Sequence, residues 1–307
     1  NTFAVPSMRG GHQMALDEAN GILYMFGGWT GTEDLADLWE YNINNRSWKL
    51  IFDPSSVTQV NSAATSLMDL LNNSKVQASN TTIAYPSARS CHKMKFCPVK
   101  RRLYIIGKYI ELVLREKASL NCDFWYFDLD KHQWHMISND TSAEPNGPPL
   151  MFDPQMCIDS QAQIIYIFGG RAVTKASQNA VYLGLYKYHI ETNQWTCTPT
   201  LGNPVQTTNE GSESKPNIVI KGRSGHFMFL TCNSLQQPIL YIYGGQRGRE
   251  ILNDFYSYNV ATGEIIEMYK DVAQEQNGPQ AMTIQACMHA SNTHELYVLG
   301  TSTSKVG

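Results

Sequence analysis

ILYMFGG at residues 22–28, followed by DLWEYNI at 37–43 and by Trp48, is the stretch on which the fold turns, because the same order of features returns along the chain. It comes back as RLYIIGK (102–108), DFWYFDL (123–129) and Trp134, and again as IIYIFGG (164–170), GLYKYHI (184–190) and Trp195. A fourth copy reads LYIYGG (240–245) and DFYSYNV (254–260), with Ile265 where the tryptophan would stand. The spacing is fixed as well as the order. Met14 to Gly27, Met94 to Gly107 and Met156 to Gly169 are each 13 residues apart, and Tyr41–Trp48, Phe127–Trp134, Tyr188–Trp195 and Tyr258–Ile265 are each 7 apart. A fifth copy opens at AMTIQACMHA (281–290) and ELYVLG (295–300).

Within each copy, apolar and polar residues alternate over five to seven positions between turn residues, which is the pattern of short strands. A unit of four such strands has two apolar faces and buries neither alone, so units must stack around an axis. The repeat therefore predicts an all-β kelch-repeat β-propeller over 1–307, with four full blades near 7–52, 87–138, 150–198 and 222–268 and part of a fifth at 281–307. Residues 53–86 and 199–221 read as inter-blade insertions. Gly27, Gly28, Gly169, Gly170, Gly244 and Gly245 are expected to close the second strand where a Cβ would not fit, and Trp48, Trp134 and Trp195 to fill the joints between blades. Arg9, Arg89 and Arg223 each stand five residues before the methionine, and Asp37, Asp123 and Asp254 open the third strand. These are expected to pair as structural ion pairs, with Met151 and Gly184 replacing both partners in the third blade.

The bulk properties set further bounds. With 24 basic and 27 acidic residues, a formal charge of -3 carries no nucleic-acid footprint. No apolar stretch reaches the eighteen or so residues of a membrane span and the first residues lack a signal-peptide pattern, so a soluble chain with no membrane partner is expected. Seven scattered cysteines without a CxxC pair fit reduced thiols of the cytoplasm or nucleus.

If strands alternate in direction, every long connection (53–86, 108–122, 171–183, 199–221 and 270–280) falls on one face, where a rigid scaffold would present it to partners. The segments 61–71 and 109–118 carry patchy helical patterning. Trp29, Arg171, Gln246, Arg247 and Arg249 follow the glycine turns on that face and are the candidate partner-binding residues. An enzyme is the weaker alternative. His12, His92 and His226 recur one per blade, as structural residues do and converging ligands do not, and the His132–His135 spacing suits a helix rather than a strand. No HExxH, P-loop or GxSxG motif is present, so no catalytic, cofactor-binding or metal-binding residue is assigned and no cofactor is expected.

GGHQM (10–14), FGGW (26–29), DLADLW (34–39), ARSCHKM (88–94), FDPQMCID (152–159) and YGGQR (243–247) together resemble the kelch region of the muskelin family. The resemblance implies six blades in the intact protein and a scaffold or substrate-adaptor role in a multi-subunit CTLH/GID-type ubiquitin ligase. Ligase subunits and degradation substrates would then be the partners, and a cytoskeletal link or self-association is compatible with it. The resemblance supplies no catalytic residue. A kelch-propeller oxidoreductase or hydrolase, or a cytoskeleton-binding module, is the alternative reading.

Overall fold

Short alternating runs separated by tight turns pair with their sequence neighbours, so each repeat folds as a meander of antiparallel strands. The computed structural model describes residues 5–56, 84–175, 181–198, 201, 218–275, 277–290, 293 and 295–302. The first blade is β1 (Gln13–Asp17), β2 (Ile22–Trp29), β3 (Asp34–Asn42) and β4 (Ser47–Phe52). The second is β5 (Lys93–Cys97), β6 (Arg102–Ile106), β7 (Phe124–Asp128) and β8 (Gln133–Ser138). A two-residue strand, β9 (Met151–Phe152), precedes the third blade of β10 (Gln155–Asp159), β11 (Ile164–Phe168), β13 (Leu185–His189) and β14 (Gln194–Thr198), and pairs with β12 (Arg171–Ala172). The fourth blade is β15 (Phe227–Cys232), β16 (Pro238–Arg247), β17 (Glu250–Asn259) and β18 (Ile265–Tyr269), and the hairpin β19 (Met282–Ala290) and β20 (Glu295–Ser302) follows it.

The recurrent methionines occupy one structural position. Met14 pairs with Met25, Met94 with Ile105, Met156 with Ile167 and Met228 with Ile242, each on the first strand of its blade. Residues of these first strands and of β19 share one central cavity of about 360 Å³, lined among others by Gln13, Lys93, Gln155, Phe227 and Ile284.

The blade count corrects the expectation from sequence. Four full blades and part of a fifth are replaced by an all-β, five-bladed propeller. Four of the described blades have four strands, and the fifth is built on β19 and β20. That hairpin pairs from Met282↔Ser302 to Ala290↔Glu295, extends past the ELYVLG motif, and lies against the fourth blade, where His289 stacks on Phe229 with ring centroids 4.3 Å apart. The sequence motif marks only two strands of this blade, AMTIQACMHA and ELYVLG, with no third-strand aromatic run or tryptophan to go with them. The patterning at 61–71 lies outside the described residues. In 109–118 the helical pattern yields a single 3-10 turn at Leu112–Leu114, with all three side chains exposed.

Three apolar joints hold the blades together. Between blades 1 and 2, Phe26, Leu38, Met94, Ile105, Phe127 and Trp134 are buried together, and the Trp134 ring lies 5.0 Å from Phe26. Trp195 repeats the arrangement against Phe124 of blade 2 at 5.5 Å. Tyr166, Phe168, Met228 and Leu240 fill the third joint, with Ile265 at its margin. Trp48, on the outer strand of blade 1, is half-buried against Tyr41 and Trp39. Each fully buried large side chain contributes about 1.5–3 kcal/mol, so these joints supply the main stabilising term.

The strand ends are held by an arginine clamp repeated in three blades. Arg9 donates two hydrogen bonds to the Asp37 carboxylate, at 2.6 and 2.9 Å, and a third to the Gly27 carbonyl at 3.1 Å. Arg89 bonds both oxygens of Asp123, at 3.1 and 2.5 Å, and the Gly107 carbonyl at 3.3 Å. Arg223 does the same with Asp254 and with the Gly244 carbonyl. Trp39 and Trp125 each donate an indole N–H to the aspartate two residues earlier. The backbone carbonyls of the clamp reach the preceding blade, where Gly28 N–H donates to Arg89 at 2.9 Å and Gly170 N–H to Arg223 at 2.8 Å. This approach explains the glycines. Gly27 has φ of +62°, and a Cβ there would come within 2.6 Å of the Arg89 carbonyl oxygen.

Blade 3 solves the same problem without charge. Met151, fully buried in the joint between blades 2 and 3, stands in the arginine position, and its strand β9 forms a small ladder with β12. Gly184 replaces the aspartate because the Leu201 carbonyl occupies the space a side chain would need.

Burial raises the Asp123 pKa but the Arg89 charge and hydrogen bonds outweigh it, so the carboxyl is held below its ordinary value. Arg89 is itself fully buried. Asp123→Ala would leave that cation without its partner, and a loss of about 3 kcal/mol is expected. Urea unfolding checks this; an unchanged midpoint would remove the clamp from the account of stability.

Candidate functional site

Strand alternation puts the β2–β3 type turns and the connections between blades on one face, and a cavity of about 830 Å³ opens there between blades 1 and 2. Its floor is backbone. Gly10 and Trp29 exchange hydrogen bonds at 2.9 and 2.8 Å, Cys91 N–H donates to the Gly11 carbonyl at 2.8 Å, and Tyr109 N–H donates to the Ser90 carbonyl at 2.9 Å. Cys91 holds a φ of +54°, a left-handed conformation uncommon for a side-chain-bearing residue. The walls are Trp29, Tyr109, Ile110, Leu114 and Ala118, with Asp34, Lys108 and Glu111 supplying charge. Trp29 is 44% exposed, Tyr109 39% and Leu114 53%, so large apolar surface faces solvent from residues whose backbone is tied down. Burial pushes the Lys108 amine pKa down, and Asp123, 4.0 Å away, opposes that shift.

The other candidate residues lie elsewhere on the loop side and do not form one constellation with Trp29. Arg171 is exposed, with its guanidinium 5.3 Å from the Phe152 ring centroid. Phe152 in turn meets Tyr109 edge-on at 5.9 Å, so this arginine borders the cavity through one intervening ring. Gln246 borders the central cavity and donates its side-chain amide to the Gly248 carbonyl at 2.8 Å. Arg247 is turned inward, donating to the Gly222 carbonyl with its guanidinium 4.9 Å from the Tyr182 ring centroid. Arg249 is exposed on the turn between β16 and β17.

Asp34, Cys91, Lys108 and Tyr109 were not singled out by sequence reasoning. One signal pointed toward them: the second blade has Lys108 where blades 1, 3 and 4 carry a second glycine, and then a long connection.

The recurrent histidines separate in space. His92 and His226 are fully buried in the first and third joints, each meeting a phenylalanine of the preceding blade edge-on, Phe26 and Phe168 respectively, both at 5.3 Å. His12 is only partly buried. Among the described residues no group of three or more His, Cys, Asp or Glu side chains is arranged to hold a metal ion, and the seven cysteines are free thiols.

The architecture is a propeller of stacked sheets, consistent with a protein-interaction scaffold. No family model matches the chain. It is similar to Mei4-dependent protein 6 of Schizosaccharomyces pombe (strain 972). The two are 25% identical over 296 residues, which cover 95% of this chain and 36% of that protein. The chain thus spans about a third of the length of that relative. Among the described residues no helix is long and apolar enough to cross a membrane.

His92 and His226 give the joints a pH signature. Burial, followed by the nearby Arg89 or Arg223 charge, lowers both ring pKa values well below 6.5. An unfolded chain takes up a proton on each ring below about pH 6.5 and the folded chain does not. Their contribution is therefore intact above that pH and declines as the pH falls beneath it, by as much as about 1.4 kcal/mol per pH unit for each ring. Thermal midpoints measured from about pH 7.5 to about pH 5.5 should fall. In His92→Gln the drop over the same interval should be smaller, whatever that variant's stability at neutral pH; an equal drop would acquit the histidine.

Proposed function

We propose that this chain is a non-catalytic protein-interaction module, acting as a substrate adaptor or scaffold in a multi-subunit ubiquitin ligase of the CTLH/GID type. The observation that carries the interaction reading is the cavity between blades 1 and 2, where an exposed tryptophan and tyrosine stand on hydrogen-bonded backbone at the loop face. Aromatic anchors of this kind dominate binding at protein interfaces, because they bury much area and lose little freedom when bound. The ligase assignment has a separate support, the muskelin-like motifs GGHQM, ARSCHKM and FDPQMCID. On this reading the partners are ligase subunits and degradation substrates, and the working compartment is the cytoplasm or nucleus.

Affinity capture with the full-length protein tests both levels. Trp29→Ala and Arg249→Glu on the loop face should each strip away at least one specific partner. Asn44→Lys and Lys131→Glu, exposed on turns at the opposite face, should leave capture intact. The reverse pattern would overturn the face assignment, and recovery of partners that include no ubiquitin-ligase subunit would overturn the ligase assignment while leaving the module standing.

A further inference from the structure

We propose that the cavity between blades 1 and 2 is a recognition pocket for a lysine or arginine side chain carried on an extended, otherwise apolar segment of a partner protein. The inference rests on the interaction reading above and names the chemistry of its ligand.

The charge balance of the pocket is the starting point. Two carboxylates, Asp34 and Glu111, line it against one amine, Lys108, and that amine is directed to Asp123 of the clamp at 4.0 Å. The other nearby cation, Arg115, donates its Nε to the Ile110 carbonyl at 2.9 Å. Asp34 makes no ion pair within the described residues, and its Oδ1 is buried without a hydrogen-bond partner. A carboxylate oxygen removed from water with no donor is costly, and a cation entering beside it supplies the missing field.

The walls select the rest of the ligand. Trp29 and Tyr109 present half-exposed rings on which the methylene stem of a long basic side chain packs, and their faces attract its charged head. An acidic side chain would meet Asp34 and Glu111 with like charge. A purely apolar one would seal the Asp34 carboxylate from solvent and leave it unpaired. The extended form follows from continuity, because Gly11, Cys91 and Tyr109 also border a neighbouring cavity whose other walls include Phe152, Asp153 and Lys93. Gln13, Lys93 and Asp153 in turn border the central cavity. A bound segment thus has a path from the Trp29 pocket toward the axis.

The test is selection of random dodecapeptides displayed on phage by the folded chain, followed by calorimetry with the most enriched peptide made synthetically. Enrichment of Lys or Arg flanked by apolar residues is expected. Asp34→Asn and Trp29→Ala should each weaken that peptide about tenfold, whereas Glu33→Gln, on the same hairpin but outside the pocket, should not. Near-UV circular dichroism reports whether each variant retains its packing, and for a variant that does not, replacing the peptide's basic residue by norleucine supplies the same comparison on the unaltered protein. Peptides without a basic residue, affinity unchanged in Asp34→Asn or with norleucine, or no peptide retained would overturn the proposal. Peptides insensitive to Trp29→Ala and Asp34→Asn but lost in Arg249→Glu would overturn the pocket while leaving the interaction module in place. Failure of loop-face capture in the full-length protein would sink that broader reading.

Discussion

A sheet of four short strands with apolar side chains on both faces has no stable existence by itself, and the rest of the structure follows from covering those faces. Phe26 and Leu38 of blade 1 are sealed only because Met94, Ile105 and Trp134 of blade 2 lie against them, and the same dependence passes along the series. Joints this tight demand close backbone approach at the strand ends. There Gly28 and Gly170 donate hydrogen bonds into the neighbouring blade and a Cβ on Gly27 or Gly169 would collide with it. The clamp is a second consequence, since a guanidinium buried beside such a joint must find a carboxylate and a carbonyl together.

The same constraint divides the molecule between support and presentation. Residues that every blade needs are consumed by the joints, and this includes His92, His226 and most of the aromatics. What varies between blades is the connection from the second strand to the third, and the segment leading into the next blade. In blades 1 and 2 these segments meet over a floor of peptide groups that already bond one another, so Trp29 and Tyr109 are held in place before any ligand arrives. Preorganisation of this kind lowers the entropic cost of binding.

The joints were readable from the chain because their requirements are periodic: Met14, Met94, Met156 and Met228 keep a common place, and the spacing from aromatic to tryptophan is constant in the blades that have one. The fifth blade was read only in part because its signature covers just the strands that became β19 and β20, whose pairing runs the length of both. The pocket was less legible. Trp29 stood out by following a glycine pair, but Asp34 lies in an ordinary hairpin, and its significance comes from Cys91, Tyr109 and Glu111, which are remote in sequence and brought near only by stacking. Arg247 shows the opposite limit: its sequence position suggested a free guanidinium, and the neighbouring Tyr182 and Gly222 claim it.

The uncharged third blade has a consequence for assembly. A chain of repeated units runs the hazard of one sheet docking on the wrong neighbour, since each face follows the same plan. Met151 fills with hydrocarbon the place that elsewhere receives a guanidinium, and Gly184 leaves no carboxylate to receive one. A clamp-bearing strand that strayed into this slot would strand a cation in grease. The slot of the third blade thus takes hydrocarbon where those of blades 1, 2 and 4 take an ion pair, so the blades are not interchangeable neighbours.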